Sequence, residues 1–303
     1  MTTTAVPPAP TAPDGAPAYA TDGRGGPRAP RRRLRGRLGN AVGFVLVLAF
    51  SVGPALIMFS TAFDARANDG SRSLLPSDPS LSNFQTVFGE AGFGRYLLNS
   101  AMVGVGTVLA SGLLALLASV AVARFRFRLR TTMLVLVLVI QMVPLEALVI
   151  PLFIQASSLD MLDSLIGLTV VYVAFSLPFA IWMLRGFVAA VPVELEEAAY
   201  LDGASWRQMF WHVLFPLCLP GLIATSVFSF ITAWNEFVFA ITFLGDEDKF
   251  TVAAGLRQFF TQYGTDWGSV MAGSTIITVP VMVLFVIVQR RLSEGLVAGA
   301  VKG

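Results

Sequence analysis

Six apolar runs dominate the chain, and each is long enough to cross a membrane. They span residues 41–59, 97–122, 131–154, 165–184, 217–243 and 270–288. About 20 apolar residues cross a bilayer as an α-helix, because a helix satisfies its own backbone polar groups. Since 55% of the residues are apolar and only 13% are charged, a soluble fold is excluded. The sequence therefore predicts an all-α membrane protein with six transmembrane helices.

The distribution of arginine predicts how these helices are oriented. Residues 1–37 read as a disordered cytoplasmic tail that ends in an arginine cluster, and residues 38–303 as the transmembrane domain. A secretory signal is the rival interpretation of the first run, but the run is longer than the usual signal core. Most of the 21 Lys and Arg residues fall in segments that this orientation places inside, as the positive-inside rule requires. Both termini are then cytoplasmic.

One polar segment, residues 190–216, interrupts the apolar pattern and also falls on the cytoplasmic side. Gly203 can adopt the left-handed conformation that ends a helix, and Ser205 can cap the next one. Pro216 is expected to disturb that second helix. The sequence predicts two short helices joined by a bend, which is the form of a docking element.

Three motifs resemble the carbohydrate-type permeases of the maltose importer class, within the ABC importers. They are Glu197-Ala198-Ala199 with Gly203 and Val213-Leu214-Phe215-Pro216, then Trp234-Asn235-Glu236-Phe237, and lastly the glycine-rich residues 295–303. The first is similar to the EAA loop that docks onto the ATPase, with Val213 and Phe215 in place of the usual isoleucine and leucine. The resemblance implies the type I importer permease fold and an alternating-access mechanism. It implies that ATPase coupling rests on Glu197, Ala198, Ala199, Asp202, Gly203 and Pro216.

The resemblance also implies partners. They are a second permease subunit, two ATP-binding subunits that hold ATP and Mg, an extracytoplasmic solute-binding protein and the lipid bilayer, with no nucleic acid. Neither Lys249 nor Lys302 ends a Gly-rich phosphate loop, so we expect no cofactor in this chain. Residues 251–267 correspond to the loop that enters the binding protein in maltose-type importers. The acidic outer loops are either ordinary solvated loops or part of that docking surface. The C-terminal residues 289–303 are expected to be a cytoplasmic tail that touches the ATPase subunits.

A substrate pathway is predicted at Trp234, Asn235, Glu236 and Phe237. Glu236 is costly inside a membrane and needs a compensating reason. It either lines a hydrated pathway and accepts hydrogen bonds from sugar hydroxyls, or bonds a neighbouring helix and holds the bundle together. Both readings stay open on the sequence alone.

The predicted function is that of a permease subunit for carbohydrates, a di- or oligosaccharide in the first instance. A polyol or glycerol 3-phosphate importer is the alternative, although no arginine lies within the interiors of the apolar runs. An ATP-independent carrier or channel is a more remote one. We expect no enzymatic activity, no catalytic residue and no metal site, since paired nucleophiles and bases are missing from the runs and the one histidine, His212, has no companion ligands.

Overall fold

The computed structural model describes residues 31–69, 75–262 and 264–300. The chain divides into two compact units, Met1–Ser51 and Val52–Gly303. In the first unit the described residues, 31–51, are helical. The predicted disorder of residues 1–30 lies outside the described residues. The arginine cluster that was assigned to the tail lies within a helix, which begins at Arg31.

Helices account for most of the described residues. The α-helices are α1 (Arg31–Ala62), α2 (Ser82–Gln85), α3 (Phe93–Arg124), α4 (Arg130–Gln141), α5 (Val149–Ser158), α6 (Leu165–Ala190), α7 (Val193–Leu201), α8 (Trp206–Met209), α9 (Phe215–Asn235), α10 (Val238–Phe243), α11 (Val252–Gly255) and α12 (Trp267–Ala300). Short 3₁₀ helices lie at Ala67–Asp69, Leu145–Leu148, Glu247–Lys249 and Leu256–Phe259, and π-helical turns at Thr86–Glu90 and Phe210–Leu214. Strands β1 (Phe260–Thr261) and β2 (Gly264–Thr265) form a small antiparallel hairpin, in which Phe260 pairs with Thr265.

Five described helices are long and apolar enough to cross a membrane. They are Asn40–Ala62, Phe93–Arg124, Leu165–Ala190, Trp206–Asn235 and Trp267–Gln289. The predicted span 131–154 is the exception, because α4 and the segment Leu145–Ser158 meet at a bend of 93°. Pro144 precedes the second half of this bent pair, and a residue before or at proline is poorly suited to a helix interior. The count is six spans when the bent pair is taken as one broken span.

The centre of the second unit is the bundle of α3, α6 and α9, which pack against one another in all three pairs. Glycines let the helices approach closely, as is common in membrane bundles. A methyl group at Gly104 of α3 would collide with the ring of Phe230, and one at Gly221 of α9 with the ring of Phe187. The bundle is thus held at a fixed spacing by aromatic rings seated on glycine.

One end of the bundle is continuous with the polar segment 190–216. Its core cluster joins residues of α3, α6 and α9 to residues of that segment, including Leu184, Met209, Phe210, Leu214 and Cys218. Leu214 and Cys218 are almost fully buried. A movement of the polar segment is therefore transmitted directly to the three central helices, because closely packed interiors do not deform freely.

Candidate coupling element and transport pathway

The first helix of the polar segment, α7, ends just before Gly203, as the sequence predicted. After α7, Gly203 has a φ of +83°, in the left-handed region. The amide of Gly203 donates to the carbonyl of Tyr200 at 3.0 Å, and the amide of Ala204 donates to that of Ala199 at 3.0 Å. These two bonds form a Schellman motif, which satisfies the last carbonyls of a helix. The bend is consequently a defined backbone structure.

The second helix begins with a complete capping box. The amide of Gln208 donates to Oγ of Ser205 at 3.4 Å, and the amide of Ser205 donates to Oε1 of Gln208 at 2.8 Å. Both donors would otherwise have no partner at a helix start. The predicted cap at Ser205 is confirmed, and together with Gly203 it fixes the angle between α7 and α8.

The disturbance expected at Pro216 is a change of hydrogen-bond pattern, and the helix does not end there. From Trp206 to Asn235 the chain is helical without interruption, through a π-helical turn at Phe210–Leu214. The amide of Phe215 donates to the carbonyl of Phe210, five residues earlier. This wider turn precedes the proline and re-routes the hydrogen bonds at the point where proline has no N–H to give. The second helix of the coupling element is therefore continuous with a transmembrane helix.

A buried ion pair fastens the element to the end of α3. Nε of Arg124 donates to Oε1 of Glu196 at 2.6 Å, and the side chains are only 14% and 9% exposed. The same guanidinium donates to the carbonyl of Val191 at 2.9 Å. A fork of donors suits arginine for bridging two acceptors in this way. Arg124 thus fixes both α7 and Val191, at the end of α6, to α3.

The residues predicted to couple to the ATPase are mostly exposed. Glu197, Ala198 and Asp202 are exposed, and so is Pro216, whereas Ala199 is partly covered by the core cluster. Leu201, at the end of α7, is 89% exposed, and the adjacent Tyr200 is 43% exposed. Val193 and Leu195 of the same helix are also exposed, and apolar side chains clustered at a polar tip are typical of a contact surface for another protein.

The predicted pathway residues divide into two groups. Trp234 is buried, its Nε1 donates to the carbonyl of Ile277 at 3.1 Å, and its ring stacks on Phe230. It belongs to the core between α9 and α12. Asn235 and Phe237 are exposed and line a cavity of about 510 Å³.

Glu236 serves the local structure. Its carboxylate accepts a 2.6 Å hydrogen bond from the hydroxyl of Tyr172 on α6. It also accepts from the amides of Phe239 at 3.0 Å and Ala240 at 3.2 Å, which are first-turn donors of α10. A carboxylate is favourable at a helix N-terminus, where such donors have no other partner. Of the two readings left open, this geometry favours the structural one, in which Glu236 joins α6 to the break between α9 and α10.

Several carboxylates of the acidic outer loops are part of the loop structure. Asp163 accepts hydrogen bonds from the amides of Asp246 and Gly245, which lower the pKa of its carboxyl. Amides of Ser77 and Arg66 likewise lower the pKa of Asp64. Asp163 thus joins the second outer loop to the third, and Asp64 joins two parts of the first outer loop. A docking role for the remaining acidic side chains stays a prediction.

A family model supplies the decisive comparison. Residues 111–297 match the family described as "Binding-protein-dependent transport system inner membrane component". The chain belongs to this family. It is accordingly a multi-pass protein of the inner membrane and a transport component, with the polar segment 190–216 inside the matched region.

Two relatives match this chain over most of its length. The diacetylchitobiose uptake system permease protein DasC of Streptomyces coelicolor is 40% identical over 90% of this chain and all of the relative. The trehalose transport system permease protein SugB of Mycobacterium tuberculosis is 34% identical over 85% of this chain and 95% of the relative. A solved structure, of a bacterial ABC transporter involved in the import of alginate, aligns with a TM-score of 0.76. It covers 88% of this chain and 99% of that chain at 22% identity, and it shows that the fold is that of an ABC importer permease.

Two features of the site were missed from the sequence. One is Arg124, which the arginine count treated as an orientation signal although it is half of the buried ion pair. The other is the pair Arg257 and Phe260, which line the same cavity as Asn235. The available signal was an arginine two positions before a pair of phenylalanines, in an outer loop whose charged residues are mostly acidic.

Proposed function

We propose that this chain is one membrane-spanning half of an ATP-driven carbohydrate importer, in which separate subunits hydrolyse the ATP. Its family is a binding-protein-dependent transport family. Relatives that match most of the chain are named for the uptake of diacetylchitobiose and the transport of trehalose. Both of those sugars are disaccharides, and the proposed substrate class is the same.

One observation carries the proposed mechanism: the bent element α7–α8 is rigid and is fastened to the transmembrane bundle at two points. The ion pair between Arg124 and Glu196 joins it to α3. At the other end, α8 continues through the π-helical turn into α9. A force applied to the exposed tip at Leu201 therefore reaches two central helices without passing through a flexible loop.

The proposed transport cycle follows from this rigidity. When two ATP-binding subunits close on ATP, each draws the docking element of one permease chain with it. Because α3 and α9 move with the element, the bundle rocks and the pathway opens to the other side. The chemical energy enters from the partner, where ATP and Mg are bound, and this chain has no enzymatic step of its own.

The number of docking elements sets the proposed assembly. An ATPase dimer offers two equivalent grooves, and the described part of this chain contains one bent element of this type. A second permease subunit, a different chain as in the maltose class, is proposed to fill the other groove. An extracytoplasmic binding protein would deliver the sugar to the outer loops.

The test compares ATP-dependent uptake in membranes that carry the assembled importer. Glu197→Lys and Leu201→Asp should leave the chain inserted but abolish both co-purification of the ATPase and sugar uptake. Leu81→Asp is the matched control, because Leu81 is also an exposed leucine, at 58%, but lies in an outer loop. Uptake by this chain without any ATPase would instead favour the carrier or channel alternative. Normal co-purification and uptake in both variants would overturn the proposal.

A further inference from the structure

The cavity beside the break between α9 and α10 combines aromatic and polar side chains. Its walls come from the end of α9, the break itself, α11 with the following 3₁₀ turn, β1 and α12. The lining residues are Asn235, Phe237, Ala253, Leu256, Arg257, Phe260 and Ile277. Its volume of about 510 Å³ falls within the range of small-molecule pockets, about 300–1,000 Å³.

The outer-loop wall of the cavity is held rigidly against the bundle. The amide of Val252 donates to Oγ of Ser100 on α3 at 2.9 Å. The backbone at Gly255 lies against the ring of Tyr96, where no side chain would fit. Leu256 packs in the same way against Gly273 of α12. A preorganised wall of this kind lowers the entropic cost of binding a ligand.

The polar groups of the cavity are mostly hydrogen-bond donors. Among the described side chains, none makes a hydrogen bond or ion pair with the guanidinium of Arg257 or with the side-chain amide of Asn235. Arginine offers five donors and no acceptor, and asparagine offers two donors and one carbonyl oxygen. The nearby carboxylate of Glu236 is engaged by Tyr172 and by α10, and it does not line the cavity. The cavity therefore suits a ligand that presents acceptor oxygens to these donors.

Two phenylalanine rings provide the apolar part of the site. Phe237 is 39% exposed and Phe260 is 52% exposed, and both residues line the cavity. Aromatic faces of this kind bury the C–H surfaces of a ligand, while a guanidinium and an amide orient it. This combination suits a sugar ring that carries a carbonyl-type oxygen.

We propose that this cavity binds one sugar unit through a carboxylate or acetamido oxygen that accepts hydrogen bonds from Arg257. The inference rests on the proposed function, because it places a substrate contact in this permease subunit. Arg257 selects sugars with such a substituent over plain hydroxylated sugars. Phe237 and Phe260 contact the ring, and Asn235 bonds a ring hydroxyl.

The proposal is tested by protection of a cavity cysteine from maleimide. Ala253→Cys places a thiol in the cavity wall, and the wild-type chain supplies the background because Cys218 is buried. Membranes with the assembled importer are labelled in the presence of N-acetylglucosamine, glucuronate or glucose. We expect protection by the first or the second sugar but not by glucose, and the two arms distinguish an acetamido from a carboxylate ligand.

A second substitution tests the role of the arginine. Arg257→Gln, combined with Ala253→Cys, should raise the half-protecting sugar concentration about tenfold or more, since a charge-assisted hydrogen bond is lost. Arg66→Gln is the control, because Arg66 is an exposed arginine of the first outer loop, outside the cavity. Equal protection by glucose, no protection by any sugar, or an unchanged concentration in Arg257→Gln would overturn the inference. ATPase stimulation, measured on the same membranes, reports separately on the proposed function.

Discussion

The buried ion pair between Arg124 and Glu196 gives the sharpest prediction. Removing one partner leaves the other charge buried without compensation, and this costs about 3–5 kcal/mol in comparable pairs. Little discount for solvent applies, because the two side chains are 14% and 9% exposed. We therefore expect Arg124→Met and Glu196→Met each to lower the free energy of unfolding by about 3–5 kcal/mol.

The double variant separates the ion pair from general packing. With both charges replaced by apolar side chains, the main remaining loss is the carbonyl of Val191, which no longer accepts from Arg124. A buried acceptor without a partner costs about 1–3 kcal/mol. The double variant should consequently be more stable than either single variant.

The assay is reversible unfolding of the purified chain in mixed detergent micelles, followed by tryptophan fluorescence. ATPase coupling of the same variants in the assembled importer gives a second readout. The double variant should fold yet transport less sugar per ATP, because the ion pair no longer helps α7 to draw α3 along. Additive losses, or single-variant losses below about 1 kcal/mol, would refute the reasoning.

Three further predictions concern other parts of the site. Gly203→Ala should cost about 1–2 kcal/mol and reduce ATPase co-purification, because φ is +83° there. Gly186→Ala lies in the interior of α6, where a methyl group meets nothing, and should stabilise the chain by up to about 1 kcal/mol; a loss of stability equal to that of Gly203→Ala would contradict the account. Tyr172→Phe should lower the free energy of unfolding by about 1.5–3 kcal/mol with unchanged sugar affinity, as expected if Glu236 is structural; the reverse result would restore Glu236 to the pathway. The pKa of Asp163 is lowered below its ordinary 3.8, so its contribution to the stability of the outer loops should be complete above pH 3.8 and should be lost as the pH falls further. Hydrogen exchange of the Asp246 amide should become faster over that lower pH range, and Asp163→Asn should abolish this pH dependence.

The sequence predicted the spans well because hydrophobic length is a local property. It did not predict that the run 131–154 bends by 93°, although Pro144 marked a weak point. A proline shows where a helix can break, but the angle depends on neighbouring helices. At Pro216 the expected disturbance takes the form of a π-helical turn before the proline, and the helix continues beyond it, which the sequence did not predict.

The parts of the candidate site that depend on backbone conformation could be predicted from the sequence. Gly203 and Ser205 were identified because few residues can end or cap a helix as they do. The sequence does not show which of the adjacent residues Glu196 and Glu197 is buried, because that depends on where α3 ends. Glu196 therefore proved to be the paired residue, while Glu197 of the motif is exposed.

The positions of the four predicted pathway residues in the fold could be predicted only in part. Trp234 and Phe237 belong to one tetrapeptide, but the break after Asn235 sends the first into the core and the second to a cavity. Arg257 reaches that cavity through the folding of a loop more than twenty positions away. Contacts of this kind depend on tertiary structure and leave little trace in local sequence.

The central claim is that the tip of α7 receives the force that drives transport. The most direct measurement is cross-linking from Leu201→Cys in membranes that carry the assembled importer, with labelling of the same thiol from each side of the bilayer. The account predicts labelling from the cytoplasmic side and a cross-link to the ATP-binding subunit that forms or breaks with ATP. Labelling from the outer side, or no cross-link to that subunit in any nucleotide state, would contradict it.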